Sequence, residues 1–232
     1  MRAQVARTHA GPVVVLFIGN SLTYVNDLPG TLSRMAASTP SHREINVRSV
    51  TAGGATLSAH WRKGEALAAL QNQNVDYVVL QGQSTEAVSN PADFERHAAL
   101  FKQAADAAGK TTILLGTWAR PAGDLFYREA SSGGSPQVMQ EKLNYEYSSV
   151  AVRFGIRLAP IGRAWQRAKH DAPLIPLLDG TQHPSFAGTY LAAAVLFRTL
   201  FQASPEGATF YGGLSEDGAR TLLRIAGQMA AE

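Results

Sequence analysis

The sequence contains no cysteine. That excludes disulfides, thiolate metal sites and a cysteine nucleophile, and it leaves the redox compartment open, because a cysteine-free chain is at home anywhere. An excess of one charge is also missing. Twenty-one basic and 18 acidic residues give a formal net charge of +3, and no stretch gathers Lys or Arg into a stripe with interleaved aromatics. Nucleic-acid binding therefore has no support. The start of the chain lacks a long hydrophobic run as well. Met1 to Pro12 is polar, carries Arg2 and Arg7, and precedes an apolar run of only Val13 to Ile18. This is too short for a signal-peptide core or a membrane span. The expectation is a soluble protein with flexible residues 1–12, cytoplasmic if the sequence is complete and exported if a leader was removed. No repeat or low-complexity segment interrupts the sequence.

What is present is enough apolar material for one core. With 45% hydrophobic residues over 232 positions, a single domain spanning 1–232 is the default. Five short, branched apolar runs read as strands: 13–18, 45–50, 76–80, 111–116 and 156–160. Segments of helical periodicity lie between and after them, at 28–37, from 56 or 58 through Leu70, then 91–108, 137–154, 161–169, 185–201 and 215–231. Thr23 to Asp27 reads as a loop. The Gly-, Ser- and Pro-rich stretch 119–135 reads as a long surface loop or lid. Strands alternating with helices imply a three-layer α/β/α sandwich around a parallel sheet, and right-handed crossovers put every strand's carboxyl end on one edge. Ser21, the Gly53-Gly54 pair, Gln81, Gln83 and Trp118 converge there.

That edge has the parts of an ester-cleaving site. A serine hydroxyl becomes a nucleophile when a base takes its proton, and a carboxylate that fixes the base's tautomer improves it. Asp179 and His183 share one short loop and suit those roles for Ser21. Of the other histidines, His9, His42, His97 and His170 have starting-segment, loop or helix-surface contexts and are expected to be exposed. His60 is the one rival base, with a core or supporting role the stronger expectation. An oxyanion needs donors. The backbone amide of Ser21, that of Gly54 and the side-chain amide of Gln83 are the candidates.

In order along nearly the whole chain, these blocks resemble the SGNH (GDSL-like) hydrolase superfamily. Phe17-Ile18-Gly19-Asn20-Ser21-Leu22-Thr23 matches the nucleophile block, with Asn20 where Asp is more usual. In Ala52-Gly53-Gly54-Ala55, Gly54 matches the oxyanion glycine, with Gly53 one residue away as the alternative. Gln81-Gly82-Gln83-Ser84 stands where the family has Gly-x-Asn-Asp, so Gln83 replaces the oxyanion Asn, and Gln81 competes for that role. Asp179-Gly180-Thr181-Gln182-His183-Pro184 holds one residue more than the family's Asp-x-x-His-Pro. The resemblance implies a divergent branch of the family with its flavodoxin-like fold and a five-stranded, mostly parallel sheet. It further implies a catalytic triad of Ser21, His183 and Asp179, and an oxyanion hole of Ser21, Gly54 and Gln83.

The activity it implies is a serine esterase working through an acyl-enzyme, removing acetyl or other short acyl groups from a small-molecule ester such as an acetylated carbohydrate. No cofactor, metal, nucleic acid or membrane is called for. Two other readings remain open: a ligand-binding or accessory protein that kept the fold and lost turnover, and acyl transfer to a sugar.

Overall fold

Leu16 and Ile18 pack on one side of the first strand and Val15 and Phe17 on the other, and all four are buried. A strand apolar on both faces belongs in the middle of a covered parallel sheet, and each such side chain contributes about 2 kcal/mol by leaving water. The computed structural model, which describes residues 11–72 and 74–229, places it there. The expected flexibility of the first residues falls, for 1–10, outside the described residues.

Five strands, β1 (Val13–Gly19), β2 (Ile45–Thr51), β3 (Tyr77–Leu80), β4 (Thr111–Leu115) and β5 (Arg157–Ala159), form one parallel sheet in the order β2-β1-β3-β4-β5. This is the flavodoxin-like order. Its direction of winding reverses between β1 and β3, the position at which sheets of this kind place a ligand crevice outside the strand ends.

One face of the sheet is covered by α2 (Leu28–Ala37), α8 (Ile161–Asp171), α9 (Phe186–Phe201) and α10 (Glu216–Gly227). The other is covered by α3 (Leu57–Lys63), α4 (Glu65–Gln71), α6 (Pro91–Ala107) and α7 (Pro136–Phe154). α9 is buried almost all round because it packs between α2, α8 and α10, and its small residues, Ala187, Gly188 and Ala192 to Ala194, let those helices come close.

Several boundaries differ from the sequence expectation. The loop expected at Thr23 begins inside a one-turn helix, α1 (Ser21–Tyr24). The helix expected from position 56 or 58 is two helices, because Gly64 takes φ +80° between α3 and α4. Thr56 rather than Ser58 caps α3, its hydroxyl accepting the Ala59 N–H at 3.0 Å. A further one-turn helix, α5 (Glu86–Ser89), precedes α6. The stretch 119–135 holds two short 3-10 helices, Leu125–Arg128 and Ala130–Ser132. It is pinned at both ends: Gln140 accepts the Ala119 N–H at 2.8 Å, the Tyr127 hydroxyl donates to the Arg120 carbonyl at 2.6 Å, and Lys142 donates to the Ser131 carbonyl. Among the described residues, no helix is long and apolar enough to cross a membrane.

Candidate active site

β1 ends at Gly19, and the chain turns sharply through Asn20 into α1. Gly19 cannot be larger: a Cβ there would lie 2.6 Å from both Gln81 Oε1 and Thr23 Oγ1. Asn20 makes the turn in two ways. Its Oδ1 accepts the Leu22 N–H at 3.1 Å, capping α1, and its Nδ2 donates to the Ala55 carbonyl at 3.0 Å. Ser21 is thereby the first residue of α1, half-buried at the strand's carboxyl end. Its N–H has no intrahelical partner at that position, and no acceptor among the described residues takes it.

Gln81, fully buried, secures the turn from β3: its Oε1 accepts the Asn20 N–H and the Thr23 hydroxyl, each at 2.9 Å, and its Nε2 donates to the Gly82 carbonyl. The Oε1 end holds the turn around Ser21, and the Nε2 end ties the side chain to its own loop. Gln81, only 1% exposed against the half-buried Gln83, is thus less well placed than Gln83 as an oxyanion donor, although one N–H of its Nε2 is left over. His60 is withdrawn as the rival base, since it is buried with Nε2 2.7 Å from the Gly19 carbonyl. A carbonyl only accepts, so Nε2 carries the proton.

The Gly53-Gly54 turn lies beside this elbow, fixed by the Ala52 N–H donating to Gly19 O at 3.2 Å and closed by the Ala55 N–H donating to Ala52 O at 3.1 Å. Gly54 has φ +66°, a backbone region that favours glycine. Neither its N–H nor that of Gly53 donates to a described residue. Gln83 is tied down by its carbonyl oxygen, which accepts from the Thr85 N–H at 2.7 Å and the Thr85 hydroxyl at 2.9 Å. Its Nε2 donates to Ser84 Oγ at 3.2 Å, leaving one of two N–H groups over.

A group that the sequence reading missed joins the Gln83 loop to the start of α3, three residues beyond Gly54. Glu86 is buried, and its carboxylate accepts the Gln83 N–H at 2.8 Å and the Leu57 N–H at 3.2 and 3.3 Å. Burial pushes its carboxyl up to about 7, against the effect of those same hydrogen bonds. A lone Glu six residues after a strand carries no sequence signal of this role.

His183 comes from the loop before α9. The loop is a closed excursion: Asp179 N–H donates to the His183 carbonyl at 3.2 Å and Ser185 N–H to the Leu177 carbonyl at 2.8 Å. Gly180, at φ +97°, absorbs the extra residue of this block. Two outside contacts aim the loop at Ser21. Asn26, itself at φ +57°, donates from Nδ2 to the Pro184 carbonyl at 2.8 Å, and Trp118, stacked on Trp165 at 4.1 Å between centroids, donates from Nε1 to the Gln182 carbonyl at 3.2 Å. His183 Nε2 then lies 3.0 Å from Ser21 Oγ, although the two residues are 162 positions apart.

Asp179 does not reach the ring by a hydrogen bond of its own. Its Oδ1 accepts from the Thr181 hydroxyl at 2.6 Å and the Thr181 N–H at 2.9 Å, and it is Thr181 Oγ1 that stands 3.1 Å from His183 Nδ1. The Thr181 hydroxyl and amide hold the Asp179 carboxyl below the usual carboxylate range, and the nearby His183 adds to this.

Of the remaining histidines expected at the surface, His42 and His170 are exposed. His97 is not: it is buried on α6 with Nδ1 2.8 Å from the Asp93 carbonyl, because its side of α6 packs inward. His9 lies outside the described residues. Among the described residues, no group of three or more His, Asp or Glu is placed to hold a metal ion.

A serine bonded to a histidine at the switch point of a flavodoxin-like sheet can be compared with known proteins. An SGNH hydrolase from Slackia heliotrinireducens is 30% identical, with a TM-score of 0.69, over 82% of this chain and the whole of that one. The chain belongs to the SGNH hydrolase superfamily. A DUF4886 family protein from Bacteroides uniformis superposes with a TM-score of 0.75 at 16% identity, covering 93% of each chain. The acetyl xylan esterase AlAXEase superposes at 0.62 and 14% identity over 82% of this chain and all of that one. The low identities fit a divergent, GDSL-like branch. No family model matches the sequence, and the search of curated proteins found no match.

Proposed function

We propose that the protein is a serine esterase that hydrolyses O-acetyl or other short-acyl esters, with carbohydrate esters the favoured class. One observation carries the reading: the 3.0 Å contact between Ser21 Oγ and His183 Nε2, made by residues 162 positions apart and braced by Gln81 on the Ser21 side and Asn26 on the His183 side. In this reading Ser21 Oγ attacks the ester carbonyl while His183 Nε2 takes the hydroxyl proton. The oxyanion is met by the Ser21 and Gly54 N–H groups and the remaining N–H of Gln83. His183 then gives its proton to the departing alcohol, and a water activated by the same nitrogen releases the acyl group. The superposition on an acetyl xylan esterase supports the choice of acyl group and alcohol.

The test is covalent labelling with a fluorophosphonate, followed by turnover of a panel of p-nitrophenyl esters of rising acyl length and of acetylated sugars. Ser21 should be the labelled residue, Ser21→Ala should abolish both label and turnover while folding normally, and rates should fall beyond short acyl chains. A chain that binds acetylated sugars yet neither labels nor turns over would be an accessory protein instead.

A further inference from the structure

We propose that Thr181 is a positioning residue of this site: Asp179 acts on His183 through the Thr181 hydroxyl, and the relay fixes which ring nitrogen is the base. The inference rests on the reading of Ser21 and His183 given above. It follows from counting protons around one oxygen. Thr181 Oγ1 lies 2.6 Å from Asp179 Oδ1, 3.1 Å from the His183 backbone nitrogen and 3.1 Å from His183 Nδ1. A hydroxyl has one proton to give and two lone pairs to receive with.

An ionised carboxylate only accepts, and at 2.6 Å the bond is in the range of a charge-assisted O–H···O⁻ contact, so the Thr181 proton is committed to Asp179. One lone pair receives the His183 N–H. The other faces Nδ1, which must therefore carry the ring proton. A neutral imidazole has a single N–H, so Nε2 is left bare towards Ser21 Oγ. That is the tautomer a general base needs.

The opposite arrangement would have Thr181 donating to Nδ1. It would set two acceptor oxygens against each other at 2.6 Å and leave Asp179 with only the Thr181 amide. When Nε2 takes the Ser21 proton, the imidazolium Nδ1–H already points at an oxygen polarised by the carboxylate. No proton passes along the relay. The extra residue in this block makes the relay possible: Gly180 swings out at φ +97°, and Thr181 is brought back between the carboxylate and the ring.

The relay and a direct Asp–His contact predict opposite rankings of two variants. In Asp179→Asn the amide oxygen can still accept both Thr181 bonds, so the tautomer survives and kcat should stay within about 10-fold of wild type, reflecting only the lost charge. In Thr181→Val the Nδ1–H loses its acceptor, and kcat should fall by about 10²-fold or more. Thr181→Ser should restore most of it. ¹⁵N NMR of ring-labelled protein reads the tautomer independently of turnover: protonated Nδ1 in wild type, Asp179→Asn and Thr181→Ser, and a mixture in Thr181→Val. If Asp179→Asn instead lost about 10⁴-fold, as direct triads do, or if Thr181→Val kept the wild-type spectrum and rate, the relay would be refuted. Failure to hydrolyse any ester would count against the esterase reading alone, since the NMR comparison still decides the relay.

Discussion

Glu86→Gln isolates a buried carboxylate that links the Gln83 loop to the start of α3. In the folded protein this carboxyl titrates at about 7 against 4.5 for the free side chain, chiefly because burial penalises the charged form. An acid whose folded value is raised contributes stability below its unfolded value and loses that contribution as pH rises through the folded one. The window here runs from about 4.5 to about 7. At about 1.4 kcal/mol for each pH unit, the stability lost across it is on the order of 3 kcal/mol. The neutral glutamine has no such term, so the pH-dependent part of the difference between the two proteins reads this carboxyl. Urea unfolding of each protein at pH 4.5, 5.5, 6.5 and 7.5 should therefore show wild type losing ground to Glu86→Gln steadily as pH rises. A difference independent of pH would mean that Glu86 titrates like an exposed carboxylate, and the account of its burial would be wrong. Gln83 and Leu57 hang from this side chain, so the variant should also lower kcat somewhat at every pH.

The two glutamines of the β3 block should separate cleanly. Gln83→Ala should lower kcat by about 10²-fold with KM and unfolding free energy nearly unchanged, the signature of one lost oxyanion donor, whereas Gln81→Ala orphans the Asn20 N–H and the Gly82 carbonyl and should cost about 2–4 kcal/mol of stability by chemical denaturation. Equal stabilities for the two variants would contradict the hydrogen bonding described. His60→Ala should likewise lower stability, by about 2–3 kcal/mol, and retain turnover at low temperature; abolished turnover in a fully folded His60→Ala protein would give His60 a part in the chemistry.

The order of the blocks and the alternation of strands with helices were legible in the sequence because both are local. A run such as Val13 to Ile18 is apolar on both faces of a strand wherever it is placed, and Gly-Asn-Ser after it turns the chain whatever lies nearby. These determined the α/β architecture and singled out Ser21, His183, Asp179, Gly54 and Gln83 as candidates. Tertiary structure alone decided what each polar side chain does, because hydrogen-bond partners 61 and 162 positions apart leave no local trace. Gln81 and Gln83 differ by two positions and look alike in sequence. Only the approach of β1 against β3 makes the first a brace for the nucleophile turn. The same holds for Asn26, Trp118 and Glu86, whose partners come from other loops. At Asp179 even the local reading fell short: carboxylate and imidazole share one loop, but the left-handed turn at Gly180 inserts the Thr181 hydroxyl between them. Spacing could put Asp179 near His183, but only the loop's folded path decided which oxygen meets the ring.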